Sequence, residues 1–304
     1  MTNLELGPLR FGIIGAGRMG LALARALTSS GLEVVHASSA SPAGRERATR
    51  LLGITTHEDP LAATEQVDCV LICVPDDAHA SVVQRLTQRA DTASPMRLRI
   101  ITTSAAGGVE ALAPLAELGH TVAVLHPVAT AADASGNAAT FAGAGAAIGA
   151  DDEAARILTH SLAHALAMHP FDLDAASWPL HAASCAVAAN LTTVLLGLTE
   201  SLAFDAEIHE DVARSSYGRL AAASVERFMR VGADAALSGA IIRGDHAALA
   251  AQLTTVRDAE PAYEPLVREA MRIAITRASM AGRLDVATSH ALSIALEHTH
   301  EEQA

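Results

Sequence analysis

Lysine is missing altogether: the 21 basic side chains of this 304-residue chain are all arginine. Chemistry that needs an ε-ammonium or a lysine Schiff base is therefore closed to it. Aromatic residues reach only 3%, so cores must be built from aliphatic side chains and from alanine, which fills 67 positions. Three cysteines are too few for a disulfide framework. Positive charge is scarce as well. The 21 basic side chains face 34 acidic ones, the formal charge is −13, and no basic run occurs. Nucleic acid and anionic membranes both need clustered positive charge, so neither is expected as a partner. The N-terminus shows no charged segment leading into an apolar one, and a cytoplasmic location is expected.

What is present is apolar and patterned. Half the residues are hydrophobic and 18% are charged, enough for a sizeable core and incompatible with wholesale disorder. Over residues 1–150, apolar runs at 9–14, 33–37, 67–74, 98–102 and 121–125, with a weaker one at 144–148, alternate with helical patterns. Near-continuous apolar strands separated by helices predict a mostly parallel, doubly wound sheet. Over 151–304 the strand signal stops. Alanine- and leucine-rich segments with helical periodicity follow at 151–167, 177–204, 212–231, 245–258 and 261–281. The expectation is an α/β chain: a Rossmann dinucleotide-binding domain over 1–150, then an all-α domain over 151–304. Residues 180–199 carry no formal charge, but His181, Ser184, Asn190, Thr192 and Thr193 interrupt them. A helix buried in a core or a dimer interface is expected there, rather than a membrane span.

The first strand runs into Gly15-Ala16-Gly17-Arg18-Met19-Gly20, and a helical pattern follows. At a strand-to-helix turn, Gly15 permits the tight turn, Gly17 lets backbone amides approach a pyrophosphate, and Gly20 lets the helix pack closely. NAD sites of this type place an acid about 20 residues beyond the turn. Here the second strand leads to Ser38, Ser39 and Ser41 and then to Arg45 and Arg47, with no acid between Glu33 and Glu46. Hydroxyls and guanidinium groups suit a 2′-phosphate, so NADP is expected over NAD, with Arg18 adding to that set or lying over the adenine. Val74-Pro75, Ser104 and His126 follow later strands and should reach the same crevice, because the carboxyl ends of strands line it. His126 reads equally as a donor to substrate and as a histidine satisfied before a proline turn.

The turn with Met19 resembles the superfamily of pyrroline-5-carboxylate reductase and 6-phosphogluconate dehydrogenase. Val74-Pro75-Asp76, His126-Pro127, His181-Ala182-Ala183 with Asn190, Leu237-Ser238-Gly239-Ala240 and Arg243-Gly244-Asp245 resemble one branch of it. That branch is the Rossmann-like family whose C-terminal half is a domain of unknown function, with members thought to act as ketopantoate reductases. The chain departs from its pattern at Thr102 to Ala105 and at Ala240. The resemblance implies a reductase with a helical, dimerising second domain.

Hydroxyacid dehydrogenases and ordinary ketopantoate reductases, which share this layout, use a lysine near the start of the long helix. His181 stands in that region, after Ser177 as an expected N-cap and Pro179, and a histidine can serve as the acid instead. Asn190, later on the same helix, can donate to a substrate oxygen. Nine residues at about 100° each put the two on opposite faces of an ideal helix. Ser238 and Arg243 fall in a break between helices, where Arg243 could bind a substrate carboxylate or cap a helix end. No metal is expected: His160 and His164 are four apart on one helix but lack companion ligands. Cys69 and Cys73 read as small core residues. The reading that results is an NADP-dependent reductase of a small, carboxylate-bearing carbonyl or imine compound, working as a homodimer. The rival is a non-catalytic NADP-binding sensor or scaffold.

Overall fold

The computed structural model describes residues 6, 9–90, 97–131 and 135–298. Eight strands form one sheet: β1 (Arg10–Ile14), β2 (Glu33–Ser38), β3 (Thr56–His57), β4 (Cys69–Ile72), β5 (Arg99–Thr102), β6 (Thr121–Val128), β7 (Gly145–Ala150) and β8 (His169–Asp172). Their order across the sheet is β3-β2-β1-β4-β5-β6-β7-β8. All neighbours are parallel except β6 and β7, which run antiparallel. The order reverses between β1 and β4, the switch point that opens a crevice beyond the strand ends in open α/β sheets.

Alternation along each strand builds two cores. Phe11, Ile13, Leu71 and Ile101 point to one face, against Leu23 and Leu27 of α1 (Arg18–Ser29) and Leu162 of α5. Ile14, Val70, Ile72 and Ile100 point to the other, against Val82, Val83 and Leu86 of α3 and Leu115 of α4. Here α2 is Pro42–Leu52, α3 Asp76–Ala90, α4 Ala113–Glu117 and α5 Glu153–Ala165. Each such aliphatic side chain contributes about 1.5–3 kcal/mol on burial.

The sheet continues past residue 150. Helix α5 packs on β6 and β7, and β8 adds a parallel eighth strand. The strand signal missed β8 because His169-Pro170-Phe171-Asp172 is short and mostly exposed, without apolar alternation. The first compact unit therefore runs to Ala186 and includes α6 (Trp178–Ala186); the second begins at Val187. This division lies beyond the 150/151 boundary that the strand pattern suggested.

The second unit is helical: a π-turn at Val187–Leu191, then α7 (Thr192–Asp205), α8 (Glu210–Ala236), α9 (Ala240–Arg243), α10 (His246–Ala259), α11 (Glu264–Met280) and α12 (Val286–His298). Its core is Leu249, Leu253, Ile275, Ala278, Leu292 and Leu296 from α10, α11 and α12. Helix α8 kinks at Gly232, which alone in it has a positive φ of 76°. Much apolar surface stays uncovered on α7 and α8: Phe204 is 80% exposed, Met229 70% and Leu220 65%. Among the described residues, Ala175–Asp205 is long and apolar enough to cross a membrane by length and composition, a property that core helices of soluble proteins share. The chain does not bury it as a core helix: only 6% of its most apolar window is covered.

Candidate functional site

The turn after β1 is shaped by what its glycines lack. Gly15 has φ +95°, and a Cβ there would lie 2.7 Å from the Cys73 carbonyl oxygen. A Cβ on Gly20 would stand 2.1 Å from the Gly15 oxygen, so α1 can approach the sheet only as glycine allows. Amides of Gly15 and Ala16 donate to the Ser38 carbonyl at 3.1 and 2.7 Å, tying the turn to the end of β2. Gly17 differs. Its Cβ position meets nothing within 4 Å, it caps α1 with no side-chain hydrogen bond, and the first turn of α1 carries no acid. The result is a row of uncapped amide donors at the positive end of a helix, with open space in front, which fits an anionic pyrophosphate. Arg18 is exposed at the first position of α1, and Met19 packs against the core behind it.

Past β2, Ser38 is buried and Ser39 half-buried. Arg45 on α2 donates from Nη1 to the carbonyls of Ser39 at 3.0 Å and Ala40 at 2.9 Å. Its Nη2 lies 3.1 Å from Glu58, a carboxylate just beyond β3 whose side chain is 76% exposed. The sequence showed no acid near this loop because Glu58 arrives through tertiary structure. An exposed pair of this kind is worth about 0.2–1 kcal/mol, less than the roughly 1.5–3 kcal/mol of a hydrogen bond to a charged group.

At the carboxyl ends of the central strands, polar groups converge. Val74 and Pro75 lead from β4 into α3, whose first residue, Asp76, accepts from Ser104 Oγ at 2.5 Å. Ser104 N donates to Thr102 Oγ1 at 3.2 Å, and His79 Nε2 sits 2.9 Å from the same hydroxyl. Burial lowers the His79 pKa, and Asp76 opposes the shift.

Trp178 sets the other wall. The chain's single tryptophan packs on Val124 and Ala147, and cavities for its indole exist because residues 108 and 149 are glycines. Added Cβ atoms there would stand 2.6 and 2.9 Å from the ring. The start of α6 is thereby pinned to the sheet, and one turn later His181 comes over His126. Their rings meet edge to face with centroids 5.0 Å apart. His181 Nε2 lies 2.9 Å from His126 Nδ1 and 3.8 Å from Cys185 Sγ, which is four residues further along α6. Burial first, then the neighbouring His181, push the His126 pKa down to about 4 against the opposing pull of Asp76. Burial lowers His181 as well. Both rings are neutral at neutral pH.

The expected N-cap at Ser177 is corrected: Asp174 caps this segment, accepting from the Ser177 amide at 2.9 Å. The opposite-face count for His181 and Asn190 holds only for an undistorted helix, and the π-turn at Val187–Leu191 is such a distortion between them. Asn190 lies in that turn and is exposed. Ser238 and Arg243 belong to the second unit and flank or end α9, between glycines of positive φ at 239 and 244. His160 is held by Asp172 Oδ1 at 2.8 Å, bridging α5 to β8. Sequence reasoning missed Glu58, His79 and Cys185. Glu58 and His79 enter through strand order or helix placement, whereas Cys185 stands four residues after His181 on one helix, a spacing that could have marked the pair.

Residues 2–127 match the model of the Rossmann-like domain, and residues 145–270 match the domain of unknown function DUF2520. A curated relative is the inositol 2-dehydrogenase of Rhizobium meliloti (strain 1021), 33% identical over 82 residues, or 26% of this chain. The chain spans 25% of the length of that relative. Among solved structures, a Bacteroides fragilis protein described as an NADP oxidoreductase aligns with a TM-score of 0.71 at 18% identity, covering 88% of this chain and 98% of its own. A 1-pyrroline-5-carboxylate reductase of Streptococcus pyogenes aligns with a TM-score of 0.60 at 14% identity, covering 95% and 98%. At these identities the likeness is one of fold.

Proposed function

Because the chain joins a Rossmann-like domain to a DUF2520 domain, we propose that it is an NADP-dependent reductase of a small, carboxylate-bearing carbonyl or imine compound, with a ketopantoate-like 2-oxo acid as the first candidate. The observation that carries this reading is the alignment of two features on one sheet. An open, uncapped amide cradle stands at Gly17, and a neutral histidine pair stands at the end of β6. The descriptions of the solved neighbours, an NADP oxidoreductase and a pyrroline-5-carboxylate reductase, point the same way.

Gly15, Gly17, Arg18, Met19 and Gly20 hold the pyrophosphate, and Ser38, Ser39 and Arg45 take the 2′-phosphate, with Glu58 displaced. Val74, Pro75 and Ser104 line the nicotinamide side. The nicotinamide supplies the hydride when bound. The protein supplies polarisation. With His126 Nδ1–H donating to His181 Nε2, the His181 proton stands on Nδ1, where it can hydrogen-bond to the reacting oxygen or nitrogen and polarise it, while the product takes its proton from solvent. Asn190, Ser238 and Arg243, in the second unit, are kept as candidate substrate groups on their sequence pattern, with the guanidinium suited to a carboxylate. The uncovered apolar faces of α7 and α8 are assigned to a second copy of the chain, since patches this apolar seldom stay wet on a soluble monomer.

The test is a fluorescence titration with NADPH and NADH, followed by loss of NADPH absorbance over a panel of 2-oxo acids and cyclic imines. Arg45→Ala should weaken NADPH by about tenfold or more and NADH by much less. Equal losses would remove the 2′-phosphate assignment. NADPH binding with no turnover on the panel, and silence of His181→Ala, would favour the sensor.

A further inference from the structure

We propose that His126, His181 and Cys185 form a binding site for one borderline-soft divalent metal ion of the zinc class. The inference goes beyond the reductase reading and shares its histidine pair, but it rests on the geometry of the three side chains rather than on that reading.

Three observations carry it. First, three different lone-pair donors converge: His126 Nδ1, His181 Nε2 and Cys185 Sγ all lie within 4.8 Å of one another. Second, one ring nitrogen faces both of the other candidate ligands. His181 Nε2 faces both His126 Nδ1 at 2.9 Å and the Cys185 sulfur at 3.8 Å. A neutral ring nitrogen either donates once or accepts once, so it cannot serve both neighbours at once. A cation between them engages all three lone pairs together. Third, the spacing is near what tetrahedral zinc requires. Zn–N bonds of about 2.05 Å and a Zn–S bond of about 2.3 Å put the two nitrogens ~3.3 Å apart and each nitrogen ~3.6 Å from sulfur. The two nitrogens need to open, and the sulfur to close on His181 Nε2, by a few tenths of an ångström, and the sulfur must also close on His126 Nδ1 from within 4.8 Å, movements that χ rotations supply.

The scaffold suits such an ion. His181 and Cys185 are four apart on one face of α6, which Trp178 anchors, and His126 comes from a sheet strand. All three residues are only partly buried. Three protein ligands with an open side are the pattern of zinc sites that keep a position for water or substrate, and nitrogen-sulfur sets select zinc over magnesium or calcium. On binding, the Cys185 thiol gives up its proton to solvent, and the single proton between the imidazoles leaves His126 Nδ1 for its own far nitrogen, Nε2. His181 then still carries N–H at Nδ1, so the ion reinforces the donor assigned to it.

Cobalt(II) is the probe, titrated into chelator-stripped full-length chain, with zinc added afterwards. The expected result is one ion per chain, a near-ultraviolet thiolate-to-cobalt band with visible d–d bands of tetrahedral intensity, and their loss on adding zinc. Cys185→Ser should abolish the thiolate band, and Cys185→Ser and His126→Gln should each weaken binding by at least roughly 100-fold, since even outer-shell losses cost 10–100-fold. His160→Gln, outside the cluster, should bind as wild type. Circular dichroism and NADPH titration of the same samples report folding and the cofactor site. A titration without the thiolate band, affinity unchanged in Cys185→Ser, or no uptake at micromolar cobalt would overturn the proposal. Retained NADPH binding in those cases would leave the reductase reading standing.

Discussion

Gly17→Ala separates folding from cofactor binding at the turn after β1. Gly15 and Gly20 cannot serve, because a Cβ at either would stand 2.7 or 2.1 Å from a backbone oxygen and would force α1 off the sheet. At Gly17 the backbone sits at φ −79°, a value any residue adopts, and the Cβ would meet no atom within 4 Å. Alanine is a poorer N-cap than glycine by up to about 1 kcal/mol, and reduced freedom of the unfolded chain returns about 0.4–1 kcal/mol. Net stability should therefore move by less than about 1 kcal/mol, a shift of about 2 °C or less in Tm for a chain of this size. The methyl group would occupy open space beside the N-terminus of α1, where the pyrophosphate is proposed to sit. Keeping a pyrophosphate from even one or two charge-assisted hydrogen bonds costs about 3 kcal/mol, or roughly 150-fold in Kd. Fluorescence titration with NADPH beside a thermal melt reads both quantities. Wild-type affinity in a variant that melts normally would show that no pyrophosphate sits at this turn, and the cofactor assignment would fall with it.

His126 titrates near pH 4 in the folded chain against 6.5 when unfolded, so the unfolded chain binds the extra proton first as pH falls. Its contribution is fully present above about pH 6.5 and is lost on the way down to 4; urea midpoints should show wild type losing roughly 2 kcal/mol more than His126→Asn between pH 7 and 4.5. Equal losses would refute the buried, neutral assignment. Burial pushes the Cys69 and Cys73 thiols up to about 12, and Cys185 is only half-buried. A disulfide reagent should therefore titrate one thiol in the native chain and three after denaturation, whereas rapid reaction of two or three in the native chain would contradict the burial. Leu220→Glu, placed on the uncovered face of α8, should convert a dimer to monomer in sedimentation runs without unfolding it. An unchanged sedimentation coefficient would mean that this face is not the interface.

The glycine turn, the parallel sheet and the helical second half were legible because each rests on local chemistry. Gly15 to Gly20 follow an apolar strand, and buried strands read as unbroken apolar runs. Residues such as His169 to Asp172 were illegible as a strand, since an exposed edge needs no apolar alternation. The site divided along the same line. Val74 and Ser104 could be placed past strand ends from the order of elements alone, whereas His126, expected just after a strand ending at 125, lies inside β6, which runs on to Val128. Cys185, separated by 59 positions from His126, could not be placed beside it, because its position depends on how Trp178 seats α6. Glu58 was invisible for a similar reason: its neighbour Arg45 lies on another element, and only the pairing of β3 with β2 brings them together.

The seat of Trp178 has one more consequence. The indole is the chain's sole strong ultraviolet fluorophore, and its ring lies edge to face with His181 at a centroid separation of 5.8 Å. A protonated imidazole at that range quenches indole emission by electron transfer, and a neutral one does so far less. The intensity of this single emitter is therefore a built-in titration curve for His181. Local charge at the strand ends can be followed in the unlabelled protein, in real time, while ligands arrive and leave.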